Sequence, residues 1–243
     1  MSQGAKTPFL YSGTELEALG EADNYYRWIL THFRPYLGPR VVEVGAGIGT
    51  FSNHLLDDGH VRELVALEPA DNLFPLLERR LSGDPRVKVE QGYLEDLAGS
   101  LSADAVILVN VLEHSADDEA LLRAVHRVLV AGGHILLFVP AVAWLFGSLD
   151  EAFEHHRRYT KPRLGEALER TGFRVESLRY INFPGVFSWF LAGKVLRRKT
   201  LNPRDVRLYD RWVVPWAAWL ERRWEPPVGQ SLVAVGTKRN EAP

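Results

Sequence analysis

Val41-Val42-Glu43-Val44-Gly45-Ala46-Gly47-Ile48-Gly49-Thr50 is the stretch on which the fold turns. A short β-branched run enters a turn with glycines at 45, 47 and 49, and a helical pattern leaves it through Leu56. Glycine lets the backbone turn sharply and lets a ligand approach with no Cβ in the way. A dinucleotide fingerprint would carry a third small residue at position 50, where this chain has Thr50. The pattern is therefore G-x-G-x-G, and no Gly-Lys-Ser/Thr follows to make a P-loop. Glu43 stands at the mouth of the turn, where a carboxylate repels a pyrophosphate and favours a cationic amino or sulfonium group. Glu68 ends the next apolar run, about 20 residues beyond the glycines, the place from which a carboxylate accepts both ribose hydroxyls.

Outward from this turn the chain alternates. Strands are expected at 41–44, 64–67, 87–91, 105–110 and 135–139, with helices at 50–56, 72–81 and 117–129 between them. The run at 105–110 (AVILVN) is continuously apolar, as suits a strand buried on both faces. Gly132-Gly133 is read as the turn that ends the helix before the fifth strand. Such alternation predicts an α/β fold: a Rossmann-like, doubly wound and mostly parallel sheet whose ligand edge is the strand C-terminal ends. A helix at 161–171 and strands at 173–180 and 230–237 complete seven strands, leaving 181–228 as a helical insertion near the C-terminus. Ahead of the sheet, 14–37 reads as one or two amphipathic helices with Thr14 and Glu17 forming a capping box.

Composition adds a polarity to this plan. The 243 residues carry a net charge of −2, but residues 1–140 hold 11 basic against 20 acidic side chains and the remainder reverses the sign. Six of the seven Trp lie beyond Pro140. With no cysteine, disulfides, thiolate metal sites and cysteine nucleophiles are excluded. The N-terminus shows no secretory signal and no apolar run is long enough to span a bilayer, so the cytoplasm is the expected compartment.

VVEVGAGIGTFS, ALEP, GYLEDL and ILVNVLEHSADDEALLRAVHRVLVAGGHILLFVPA, in this order, resemble class I S-adenosylmethionine-dependent methyltransferases, in the branch with a VLEH motif after the fourth strand. The resemblance covers about residues 24 to 140. It implies S-adenosylmethionine as cofactor, with Glu43, Gly45, Ala46, Gly47 and Gly49 around the methionine moiety and Glu68 and Pro69 at the ribose. It places Tyr93, Leu94 and Glu95 beside the adenine, and Asn110 and Val111 beside the methionine and sulfonium. Many members carry Asp where this chain has Tyr93, so adenine is held by stacking, by backbone groups or by Glu95. In similar proteins the N-terminal helix lies over the cofactor. Tyr25 or Arg27 then reaches its carboxylate, unless these residues only pack on the core. The implied division is one domain: a helical cap at 1–38, a cofactor-binding half at 39–140, and an acceptor-side half at 141–243 carrying the insertion.

Methyl transfer needs a general base only when the acceptor carries a proton at neutral pH. His114, His155 and His156 are the candidates, all expected at the cofactor edge. His114 leans towards a loop hydrogen bond, and one of His155 and His156 towards the substrate. No third ligand of suitable spacing accompanies the paired His, so no metal is expected. Arg157 and Arg158 either clamp an anionic substrate group or pair with Asp117, Asp118 and Glu119. Trp212, Trp216 and Trp219 fall on one helical face, and Phe183, Phe187 and Phe190 form a second apolar set with basic residues after it. This insertion is expected to cover the site, with peripheral membrane contact as the secondary expectation. The basic half carries no nucleic-acid-binding module, so a small or lipid-like acceptor, apolar or anionic, is expected rather than nucleic acid. The competing reading is a methyltransferase-like module that binds cofactor without turnover.

Overall fold

The computed structural model describes residues 9–13 and 15–239. Its sheet has seven strands: β1 (Arg40–Val44), β2 (Glu63–Glu68), β3 (Val87–Gln91), β4 (Ala103–Val109), β5 (Leu129–Pro140), β6 (Phe173–Ile181) and β7 (Ser231–Lys238). Their order is β3-β2-β1-β4-β5-β7-β6. The pairs from β3 through β5 are parallel, and β7 runs antiparallel between β5 and β6. The mostly parallel, doubly wound sheet is therefore the one the alternation predicted.

Eleven α-helices are described: α1 (Glu15–Leu19), α2 (Asp23–Phe33), α3 (Thr50–Asp57), α4 (Phe74–Leu81), α5 (Leu94–Leu97), α6 (Asp118–Val128), α7 (Ser148–Ala152), α8 (Lys161–Arg170), α9 (Phe183–Trp189), α10 (Pro203–Leu208) and α11 (Val214–Glu221). The strand period of two sends alternate residues to opposite cores. Val106, Leu108, Ile135 and Leu137 join Leu122 and Val125 of α6 and Leu164 of α8 on one face. Ile107, Leu136 and Phe138 join Ile29 and Phe33 of α2, Phe51 and Leu55 of α3, and Leu77 of α4 on the other. Both faces of β4 are covered, which explains its unbroken apolar sequence.

The N-terminal boundary follows the periodicity, and the one before the fifth strand does not. The amphipathic N-terminal stretch divides into α1 and α2, and the Thr14 cap falls outside the described residues. Gly132-Gly133 does not end α6. Leu129 already turns extended (φ −70°, ψ 139°) and pairs with Ala103, so β5 starts there and the glycines lie inside it, at a register shift. In the insertion, Pro184 and Gly185 open α9 under the Asn182 side chain, which accepts from the Gly185 amide. Val214 and Ala217 of α11 are buried in the core shared with α2, while Trp212, Trp216 and Trp219 point outward. Among the described residues no helix is long and apolar enough to cross a membrane.

Candidate active site

The C-terminal ends of β1, β2 and β4 open into a cavity of about 1030 Å³ that residues of α1, α2 and the insertion also line. Right-handed crossovers put every parallel strand's C-terminus on this edge, so the site is a consequence of topology. The glycine turn is its floor. Gly45 (φ +67°) lies so close to Val111 that a Cβ would sit 2.6 Å from its Cγ2, and Gly47 (φ +58°) faces Leu16 of α1 across the cavity wall. Ala46 lines the cavity with them, whereas Gly49 lies outside the lining and serves as the left-handed N-cap of α3.

Two carboxylates flank the turn. Glu68 is buried, and its oxygens accept from the amides of Gly47 (2.8 Å) and Ala70 (2.9 Å). These bonds fix its plane and leave about two of its four lone-pair positions open, as a ribose diol requires. Burial still raises its pKa against both bonds. Glu43 is deeper and accepts a 2.5 Å bond from Ser52 Oγ. Burial, with Glu68 nearby adding to it, pushes Glu43 up to about 8. Burial therefore favours the protonated form of Glu43.

Around this floor the structure gathers most of the expected residues. Pro69, Leu94, Glu95, Asn110 and Val111 line the cavity. Asn110 takes a left-handed conformation (φ +52°), its amide bonded to Phe138. Tyr93 is also in the lining, half exposed, with its ring 6.2 Å from Phe9. Tyr25 lines the cavity edge-on to Phe138, and burial pushes its hydroxyl up to about 12. Arg27 does not reach the cavity. Two residues along α2 from Tyr25 it falls on the opposite face, exposed, so its expected contact with a cofactor carboxylate is corrected.

The acceptor side is held by a residue that the sequence did not mark. Asp150 is fully buried in the first turn of α7 and accepts from His155 Nδ1 (2.9 Å), Arg158 Nε (2.7 Å), the Gly147 amide (3.0 Å) and Trp189 Nε1 (3.2 Å). Burial opposes its charge, but the bond from His155 and the Arg158 charge outweigh that and hold its pKa low. His155 is bonded to Asp150 through Nδ1, and its ring lines the cavity. His114 meets His155 edge-on at 4.9 Å; burial, reinforced by His155, pushes it down to about 4 and keeps it neutral. His156 lines the cavity but is exposed.

Glu113 is fully buried, and among the described residues neither of its oxygens has a hydrogen-bond partner; burial pushes it up to about 7 against the pull of His155. Glu113, His114 and His155 bring ligand atoms within 4.8 Å of one another, a carboxylate and two imidazoles that a divalent cation could use. Glu113 lies about forty residues from His155 along the chain, a separation that motif spacing does not register. Arg157 pairs with Asp118 at 2.8 Å and Arg158 is buried on Asp150, so both are committed inside the protein and form no substrate clamp.

A family model described as a methyltransferase domain matches residues 16–178. Over 159 residues the chain is 28% identical to the ubiquinone biosynthesis O-methyltransferase of Xanthomonas axonopodis, covering 58% of this chain and 65% of that protein. Over 161 residues it is 27% identical to the tRNA U34 carboxymethyltransferase of Edwardsiella ictaluri, covering 65% and 49%. The chain spans about half to two thirds of the length of the curated relatives it matches. In fold it resembles a SAM-dependent methyltransferase from Archaeoglobus fulgidus, at TM-score 0.61 and 16% identity over 92% of this chain and 97% of that one. The sheet order, the glycine turn at the strand ends and a family match across well over half its length converge: the chain has the class I methyltransferase fold and belongs to the methyltransferase domain family.

Proposed function

We propose that this protein transfers a methyl group from S-adenosylmethionine to a hydroxyl on a small acceptor with an apolar body. The observation that carries the reading is one cavity lined by both the Glu68-braced glycine turn and His155, whose Nδ1 is bonded to the buried Asp150. Bound there, S-adenosylmethionine supplies a methyl group already activated on a sulfonium. Glu68 takes the ribose diol, Tyr93 and Leu94 flank the adenine, and the Gly45–Gly47 backbone lies along the methionine part. At about 1030 Å³ the cavity stands at the upper end of ligand sites of roughly 300–1,000 Å³, with room for an acceptor as well.

His155 is the base. Asp150 fixes its tautomer, so Nε2 accepts the hydroxyl proton as the acceptor oxygen gains its methyl bond. His114, neutral and packed on its edge, limits where the ring can move. Trp189, Leu191 and Leu196 of the insertion wall this side with apolar surface, which suits an apolar acceptor. The relatives named as ubiquinone biosynthesis O-methyltransferases support the choice of oxygen.

Glu43 sets a pH dependence. It is protonated below about 8, and a cationic ligand favours its ionised form. Affinity for S-adenosylmethionine should therefore rise between pH 6 and pH 8, by up to tenfold per unit, as roughly 1.4 kcal/mol corresponds to each unit. Glu43→Gln should flatten that slope, which calorimetry in two buffers of different protonation enthalpy would read. A slope unchanged in the variant would remove Glu43 from cofactor binding.

Turnover decides the proposal: methyl transfer from labelled cofactor is measured to apolar phenols, amines and unmodified tRNA in parallel. Phenol methylation at least tenfold above the other two is the expected result. Transfer to tRNA or amines alone would overturn the acceptor class, and cofactor binding with no transfer to any would favour a non-catalytic module.

A further inference from the structure

We propose that the outer face of the insertion, residues 187–223, docks on an anionic lipid bilayer. The proposal stands on exposed side chains and does not depend on methyl transfer.

The apolar exposure is concentrated on this one unit. Phe187 (62%), Val195 (56%) and Leu196 (51%) stand out around the end of α9, with Trp144 stacked edge-on against Phe190 beside them. Trp212 (66%), Trp216 (54%) and Trp219 (54%) project from the other arm of the insertion, while the inward side of α11 is packed through Val214 and Ala217. Large apolar side chains are exposed singly on most proteins; a set of this size on one structural unit marks an interaction surface.

Charge says what covers it. Residues 181–225 contain four acids, and every one is engaged. Asp210 accepts from the amide of Tyr25, Glu221 from those of Asn182 and Phe183, Asp205 pairs with Arg198, and Glu225 with Lys161. The cations are sorted the other way. Lys194, Arg197, Lys199, Arg204, Arg211 and Arg222 are all exposed, and among the described residues none has a carboxylate partner. Arg211 and Arg223 lie over the rings of Trp212 and Trp219 at 5.2 and 5.3 Å. Tryptophan with interleaved Lys and Arg is the composition of a bilayer interface, where rings sit at headgroup level and cations meet lipid phosphates. A second copy of the chain is a poor occupant, since a two-fold contact would set this cationic face against itself. Leu191 and Leu196 are both exposed and part of the cavity lining, so the docked face adjoins the cavity mouth.

The test is flotation of the full chain with vesicles of phosphatidylcholine alone and of phosphatidylcholine with phosphatidylglycerol, alongside light scattering without lipid. The expected result is binding to the anionic vesicles at least tenfold above the neutral ones and weakening with salt. Trp212→Ser/Trp216→Ser/Trp219→Ser and, separately, Lys194→Glu/Arg197→Glu/Lys199→Glu should each reduce it at least tenfold, since each basic residue near an anionic surface contributes about 1 kcal/mol. All six positions are exposed, and the charge-reversal set leaves every aromatic in place should the Trp set fold poorly. No flotation, equal flotation with neutral vesicles, or binding retained in both variants would overturn the proposal. So would a dimer in the absence of lipid that the Trp substitutions dissolve, or displacement of the protein from vesicles by tRNA.

Discussion

Gly47→Trp should abolish S-adenosylhomocysteine binding, lowering affinity by at least 100-fold while the fold survives. Gly47 sits at φ +58°, and a Cβ built on it points at Leu16 Cδ1 and Cδ2 at 3.5 Å. That contact is ordinary, so the backbone accepts a side chain for the strain alone, roughly 1–2 kcal/mol for an L-residue in the left-handed region. A domain stable by about 5–15 kcal/mol tolerates this. The indole, however, must extend into the cavity between α1 and the turn, across the path to Glu68. The Gly47 amide still bonds Glu68 Oε2, so the loss arises from occupied space and not from a broken hydrogen bond. Gly47→Ala separates the two, since it carries the strain without the bulk and should lose tenfold or less. Calorimetry with circular dichroism on both variants checks this. Wild-type affinity in the Trp variant would remove the cofactor from this cavity.

The cofactor floor was legible because its signals are local. Val87–Gln91 is bounded by its own alternation, and the apolar run that became Ala103–Val109 needs both faces covered wherever it lies. The G-x-G-x-G turn announces itself because only glycine takes those backbone angles cheaply, at Gly45 and Gly47 alike. The position of Arg27 is also a local matter: about 100° of helical rotation per residue turns it from Tyr25 to the exposed side of α2.

The acceptor side was illegible for a different reason. Asp150 matters because His155, Arg158, Gly147 and Trp189 all donate to it, and those partners come from a loop, a helix start and the insertion. No periodicity encodes that convergence. Glu113 likewise reads as one acid of a motif until the fold buries it beside two histidines, with no hydrogen-bond partner among the described residues. The tryptophans gave a true spacing but an ambiguous face. A helical stripe of Trp looks the same whether it faces the core or the solvent, and burial of Val214 and Ala217 decides for solvent.

His155→Ala should lower kcat/KM for a hydroxyl acceptor by roughly 10²–10⁴-fold, the usual contribution of a positioned general base. Cofactor affinity should stay within about twofold, because His155 lies with Asp150 on the acceptor side and away from Glu68. Asp150 is a poorer probe. Removing its charge strands the buried Arg158 guanidinium, a loss of about 3–5 kcal/mol of stability that would mix folding with catalysis. The sharper comparison uses two acceptors on His155→Ala, a phenol that is neutral at the assay pH and a more acidic one already ionised. An ionised oxygen needs no base, so the variant should be severely slowed on the neutral phenol and within about tenfold of wild type on the ionised one. Equal losses on the two would mean that the imidazole orients the acceptor and takes no proton from it, leaving proximity to the sulfonium as the source of the rate.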